Sequence, residues 1–191
     1  MSIKDRLKIR AEIISSNHDF FKSSINDVSS IITNSLTKNK KLMFCGNGGS
    51  AAESQHMAAE YCATLNHKNF RPGFAAMSLT VDTSFITAWS NDFGYENVFS
   101  RQVETLGNEG DILFCYSTSG TSKNVLSAIS MAKSLNIKVI LFTGNNKDIE
   151  IKDTCDYVFF APSSNTAIIQ EIHTIIGHEV CLKVEENLTK L

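Results

Sequence analysis

Apolar residues recur at helical spacing through the first part of the 191-residue chain. Leu7, Ile13, Phe21 and Val28 belong to this pattern, which contains few helix breakers and is weakest near residues 15–17. The pattern predicts one or two helices over residues 2–38.

The hydrophobic period changes after residue 39, where short apolar runs begin to alternate with helical stretches. The runs predict strands at 40–45, 111–116, 138–143 and 157–160, with a weaker strand at 74–79. The stretches between them predict helices over about 51–66, 96–106, about 122–135 and about 165–190, with a short helix after 144–146.

The predicted strands are continuously apolar, which is typical of parallel strands that are covered by helices on both faces. We therefore predict an α/β fold, a three-layer αβα sandwich with about five parallel strands. Residues 1–38 form an N-terminal helical extension in this prediction, and residues 39–191 form the sheet core and the C-terminal helix.

Composition narrows the possible partners and the cellular location. Lys and Arg total 18 against 20 Asp and Glu, a net charge of -2, whereas a nucleic-acid partner requires a positive surface. Apolar runs are too short for a membrane span, so we expect neither nucleic acid nor membrane as a partner. The five cysteines lack metal-pair spacing, which favours reduced thiols in a cytoplasmic protein.

Two polar loops follow predicted strands. Residues 46–50 read Gly-Asn-Gly-Gly-Ser, and residues 117–122 read Ser-Thr-Ser-Gly-Thr-Ser. Glycines let backbone N–H groups converge on a ligand, while hydroxyls and helix N-termini suit a phosphate. Ligands gather at the carboxyl ends of parallel strands, so two such loops favour a phosphate site over simple turns and caps. Neither loop has the lysine of a nucleotide-triphosphate loop.

Histidines on two predicted helices are candidates for chemistry. His56 and Glu60 are four residues apart, so they lie on one helix face as a metal site, an acid–base pair or an exposed ion pair. The last helix carries Gln170, His173 and His178. Gln170 and His178 are separated by about 12 Å along the axis and about 80° around it. Either histidine can equally be a half-buried core residue.

A third candidate segment is Asn-Asp-Phe-Gly at residues 91–94. Asn and Asp before Gly are typical of a turn, and the same residues can hold a polar ligand.

Taken in order, these segments resemble the bacterial phosphoheptose isomerases, which are SIS (sugar isomerase) domain enzymes. The resemblance extends over essentially the whole chain and rests on residues 44–50, His56 with Glu60, residues 91–94, 99–104 and 117–122, and Gln170 with His178. It implies a flavodoxin-like sheet and a single SIS domain over residues 1–191.

The resemblance also implies an activity, which is the interconversion of sedoheptulose 7-phosphate and D-glycero-D-manno-heptose 7-phosphate through an enediol. This is the first step towards nucleotide-activated heptose. Glu60 would be the carbon base and His178 the acid–base group on oxygen. The alternatives are a non-catalytic sugar-phosphate-binding SIS regulatory protein and an isomerase of another phosphosugar.

The family further implies a cytoplasmic homotetramer with active sites at subunit contacts. Each subunit would hold one zinc ion, and the implied ligands are His56, Glu60, Gln170 and His178. The residues implied to bind the substrate are Asn47, Gly48, Gly49, Ser50, Glu60, Asn91, Asp92, Ser117, Thr118, Ser119, Ser122 and Gln170.

Two short segments depart from the family pattern. Ala167 and Ile168 stand where relatives often have Asp or Arg, and this removes one polar contact to the sugar or across a subunit interface. Ala51 and Ala52 follow the glycine loop and cannot offer side-chain hydrogen bonds to a ligand.

Overall fold

The computed structural model describes residues 1–68 and 70–189. Its helices are α1 (Ile3–Ser16), α2 (His18–Leu36), α3 (Gly49–Cys62), α4 (Thr83–Phe93), α5 (Val98–Leu106), α6 (Lys123–Ser134) and α7 (Thr166–Thr189). Its strands are β1 (Leu42–Gly46), β2 (Ala76–Ser78), β3 (Ile112–Tyr116), β4 (Lys138–Thr143) and β5 (Tyr157–Phe160). Two 3₁₀ turns span Tyr95–Asn97 and Glu150–Thr154.

The strands form one parallel sheet in the order β2-β1-β3-β4-β5. The chain leaves β1 towards one edge of the sheet and returns to start β3 on the other side of β1. This reversal is a topological switch point, where open α/β sheets bind ligands. Gly46 at the end of β1 is paired with Tyr116 at the end of β3, so the two polar loops leave the sheet side by side. The predicted architecture is confirmed.

Side chains alternate between two apolar cores along each strand. Phe44, Phe114 and Phe142 face a core shared with α2, α3 and α7. Cys45 and Cys115 face a second core shared with α4, α5 and α6. Because α3 and α7 cover the same face of the sheet, side chains from these two helices can meet.

The N-terminal region is two helices that meet at Asn17, inside the predicted break. The Asn17 amide donates to the carbonyl of Ile13 at 2.8 Å. None of the residues of α1 is buried. The helix is instead tied to α7 by Arg10, whose guanidinium donates to both oxygens of Glu171 at 2.6 and 3.0 Å.

Helix α4 is absent from the sequence-based prediction, which interpreted residues 91–94 as a turn. That interpretation is wrong for Asn91 and Asp92, which lie in the last turn of α4. The Asp82 side chain accepts from the backbone N–H of Phe85 at 2.9 Å and so caps the helix start. Only Gly94, with φ of +84°, leaves the helical conformation.

None of the helices within the described residues is long and apolar enough to cross a membrane.

Candidate active site

The glycine loop makes a sharp turn between β1 and α3. Gly48 has φ of +56° and ψ of -120°, a conformation that strains residues with a Cβ atom. Helix α3 begins at Gly49, and Ser50 is buried in its first turn. A Cβ atom on Gly49 would lie 2.7 Å from Gln170 Nε2, so a larger residue at this position would displace the Gln170 amide.

Asn47 is held by two partners that the sequence did not reveal. Its side chain forms a reciprocal amide pair with Asn124 of α6, with both N–H···O distances at 2.9 Å. Tyr95 also donates its hydroxyl to Asn47 Oδ1 at 2.9 Å. These bonds fix the loop against α6 and Tyr95.

The hydroxyl loop follows β3 and leads into α6. Ser117 donates to Ser122 Oγ at 3.1 Å, and Ser119 Oγ accepts from the backbone N–H of Thr121 at 3.2 Å. The Thr118 carbonyl accepts from the N–H of Gly144 at 3.1 Å, which fixes the loop against the end of β4. Clustered hydroxyls beside a helix N-terminus provide hydrogen-bond donors for a phosphate.

His56, Glu60 and His178 meet between α3 and α7. The Nε2 atoms of the two histidines are 2.8 Å apart, and His56 Nδ1 lies 3.7 Å from Glu60 Oε1. One ligand atom from each residue lies within 4.8 Å of the others. Two imidazole nitrogens and a carboxylate are the donor set of many catalytic zinc sites, so the residues fit this metal.

Gln170 lies two turns before His178 on α7 and reaches the glycine loop. It borders a cavity of about 280 Å³ together with Gly49, Ser50, Glu53 and Thr174. Gln170 and the glycine loop thus meet between α3 and α7, whereas His56, Glu60 and His178 do not line this cavity.

The two histidines of α7 have different environments. His173 is buried, and its Nε2 lies 3.2 Å from the carbonyl oxygen of Thr143. Burial lowers the pKa of His173 to about 4, so it is a neutral core residue near neutral pH. His178 instead faces His56, and the core interpretation holds for His173 alone.

Glu53 is a residue of the site that sequence reasoning missed. Its Oε2 accepts from the Thr174 hydroxyl at 2.7 Å, whereas its buried Oε1 has no hydrogen-bond partner among the described residues. Burial raises the pKa of Glu53, and the Thr174 hydrogen bond and then the charges of His56 and His178 oppose this shift. The sequence did contain a signal for Glu53, because residues 53, 56 and 60 are spaced so that they lie on one face of α3.

Asn91 and Asp92 are exposed, and the side chain of Asn91 donates to Asp92 Oδ1 at 2.8 Å. Within residues 1–68 and 70–189, no hydrogen bond joins either side chain to the two loops. Tyr95, one turn further on, makes that connection instead.

Comparison with protein families identifies the class of protein to which this fold and its two loops belong. The model of the SIS domain family matches residues 10–144 of the chain. This match covers the sheet through β4, including both polar loops and the helix that carries His56 and Glu60.

Comparison with individual relatives identifies the family within this class. The chain is 45% identical over 164 residues to phosphoheptose isomerase of Akkermansia muciniphila, an alignment that covers 86% of this chain and 85% of that protein. It is 40% identical over 186 residues to phosphoheptose isomerase of Clostridium acetobutylicum, with 97% and 92% covered. Phosphoheptose isomerase of Neisseria gonorrhoeae superposes with a TM-score of 0.86 at 33% identity, over 97% of this chain and all 100% of that one.

The chain belongs to the phosphoheptose isomerase family of SIS domain proteins. The family expected from the sequence, and with it an aldose–ketose isomerase as the enzyme class, is confirmed.

Proposed function

We propose that the protein interconverts sedoheptulose 7-phosphate and D-glycero-D-manno-heptose 7-phosphate, the first step towards nucleotide-activated heptose. The observation that carries the proposal is the meeting of His56, Glu60 and His178 beside two loops suited to a phosphosugar. A regulatory protein that only binds sugar phosphate has no need of that trio.

The isomerisation moves a proton between neighbouring carbons through an enediol. Glu60 takes the proton from carbon and returns it to the neighbouring carbon, and His178 moves the proton between the two oxygens. His56 lies within reach of both groups, 2.8 Å from His178 Nε2 and 3.7 Å from Glu60 Oε1. It therefore orients both groups in this proposal.

Zinc, one ion per subunit, is the proposed cofactor, held by His56, Glu60, Gln170 and His178. When bound, it supplies Lewis-acid polarisation of the carbonyl and orients the sugar oxygens. A lone pair cannot bind a cation and a proton at the same time. The ligand and base roles of Glu60 and His178 therefore alternate, or the ion is mainly structural.

The phosphate is a handle that does not react, and its binding energy orients the reacting carbons. We propose that it binds Ser50, Ser117, Ser119 and Ser122, with the backbone at Thr118 completing the loop. The proposed contacts to the sugar come from Asn47, Gly48, Gly49, Glu60, Asn91, Asp92 and Gln170. The side chains of Asn91 and Asp92 are exposed. They can contact the sugar only if the ligand reaches them or if a second subunit covers them.

The proposal includes a homotetramer in the cytoplasm, with active sites at subunit contacts and one SIS domain over residues 1–191. Support comes from apolar side chains that remain exposed, among them Ile3 and Leu7 on α1 and Phe93 at the end of α4. Exposed apolar surface of this kind is a common feature of protein interfaces.

The first experiment is incubation of the purified protein with sedoheptulose 7-phosphate while aldose formation is followed by NMR. Metal content is measured in parallel, and a chelated sample serves as control. We expect turnover that is lost on chelation and restored by zinc. Turnover that survives complete metal removal would keep the isomerase and remove zinc from it. Absence of turnover in folded, zinc-loaded protein would favour another phosphosugar, which a substrate panel would identify.

A further inference from the structure

A buried ion pair joins the segment after α3 to α7. Arg71 is 4% exposed and Glu185 is 5% exposed. The Nε and Nη2 atoms of Arg71 lie 2.9 and 2.7 Å from Glu185 Oε1. Removing two charges from water is costly, and a buried pair often contributes less stability than an apolar pair of the same size. Because the Arg71–Glu185 pair contacts the end of α3 that carries Glu60, it can position the site rather than stabilise the fold.

The Arg71 guanidinium completes the C-terminal end of α3. Its Nη2 donates to the carbonyl of Glu60 at 3.1 Å, and its Nη1 donates to the carbonyls of Tyr61 and Pro72, both at 3.0 Å. Together with the bond from Nε to Glu185, the side chain donates four hydrogen bonds, and the ion-pair contact of Nη2 with Glu185 adds to them. Carbonyls in the last turn of a helix lack intrahelical donors, and a buried cation there also complements the helix dipole.

Glu185 extends the connection to α7 and to the loop after α3. Its Oε1 also accepts from the backbone N–H of Leu65 at 3.0 Å. Glu185 follows His178 by seven residues, which places the two on one face of α7 about 10 Å apart. The pair thus fixes the main chain of Glu60 and the helix that carries His178 in one hydrogen-bonded unit.

We propose that Arg71 is a positioning residue that sets the register of α3 against α7, so that Glu60 and His178 meet. The proposal rests on the function proposed above for Glu60 and His178. Arg71 itself acts only through the Glu60 carbonyl and Glu185. Lysine keeps the positive charge but lacks the planar fork of five donors, so it cannot bind Glu185 and three carbonyls together.

The test compares Arg71→Lys with a control variant at another ion pair, which is half-buried. Lys41 pairs with Asp111, which is 2% exposed, at the beginnings of β1 and β3 and so at the opposite end of the sheet from the loops. Lys41→Met therefore destabilises the fold without contacting the site. Wild type and both variants are measured for melting temperature, for zinc affinity in competition with a chromophoric chelator, and for kcat and KM.

We expect Arg71→Lys to lose about 10-fold to 100-fold in zinc affinity and in kcat, the range typical of groups that orient metal ligands. Its KM for the phosphosugar should stay within about threefold, because the phosphate loops lie on β1 and β3 and do not contact Arg71. Lys41→Met should lower the melting temperature and leave zinc affinity and kcat at wild-type values.

Unchanged zinc affinity and kcat in Arg71→Lys would overturn the proposal, as would equal losses in Lys41→Met. If Arg71→Lys does not fold, Glu185→Gln replaces it, since this variant keeps the size of the side chain and weakens the hold on Arg71. Wild type that binds zinc without isomerising the sugar would refute the proposed function, while zinc affinity would still report on Arg71. Wild type that does neither would refute both.

Discussion

Glu60 is the residue on which the proposed chemistry most depends. Glu60→Gln keeps the shape of the side chain and removes the base, and general acid–base catalysis is typically worth about 10²-fold to 10⁴-fold. We expect kcat to fall at least about 100-fold with an unchanged circular dichroism spectrum. Glu104→Gln, in an exposed ion pair of α5, is the matched control and should keep its activity. Near-normal turnover in Glu60→Gln would end the base assignment.

Tyr95 shows how one hydroxyl can prepare a loop. Tyr95→Phe removes only the group that donates to Asn47 Oδ1. A net hydrogen bond contributes about 1 kcal/mol, so we expect KM to rise about fivefold with little change in kcat. Tyr157→Phe, on the far edge strand β5, should leave KM unaltered. Equal KM values for wild type and Tyr95→Phe would show that the loop is ordered without this bond.

At the scale of elements, α7 carries a pH-dependent contribution to stability. The pKa of His173 is lowered to about 4 by burial, against 6.5 for the free side chain. Between these two pH values the unfolded chain takes up a proton that the folded chain does not, so stability falls as the pH falls from about 6.5 to about 4. The full loss is of the order of 3 kcal/mol.

His173→Phe should remove this part of the acid sensitivity, because the ring packs among Phe142 and Phe159 and the Thr143 carbonyl keeps a bond from the N–H of Ala161. Urea unfolding of both proteins between pH 7 and pH 4.5 measures it. Parallel curves for the two proteins would contradict the assignment.

The pattern of apolar and polar residues predicted those parts of the fold that depend on a single helix or strand. Continuous apolar runs predicted all five strands, and the two loops were found because each follows a strand. Helix α4 was missed because the Asn-Asp-Phe-Gly segment resembles a turn. The cap at Asp82 is a local signal that was overlooked, whereas the packing of Trp89 depends on tertiary contacts.

The parts of the candidate site that lie on one helix were also predictable from the sequence. The spacing of His56 and Glu60 on one helix was visible in the sequence, and the resemblance to a family added Gln170 and His178. Arg71 and Glu185 are 114 residues apart, and no periodicity connects them. Only the fold brings such a pair together, because it places α3 and α7 on one face of the sheet.

For the whole molecule, the exposed helix α1 gives a test of assembly. Leu7 is 62% exposed on a helix that buries none of its residues in the single chain. If this face packs against other subunits, Leu7→Asp should reduce the mass measured by light scattering from that of four chains of 21.1 kDa each. Activity should fall with it, because the proposed sites lie at subunit contacts.

Lys8→Ser, at the next position of the same helix, is the control and should assemble normally. A tetramer in both variants would exclude Leu7 from the interface, and a monomeric wild type would contradict the proposed assembly.

The meeting of α3 with α7 also has a consequence for how the protein is made. His56 and His178 are 122 residues apart, and the last strand ends at Phe160. A nascent chain that has left the ribosome only as far as Phe160 already contains every strand and both loops, yet it has no second histidine for the cluster. If the cluster binds zinc as proposed, metal capture waits for α7 to emerge and dock, so zinc loading would report that this last helix is in place on the sheet.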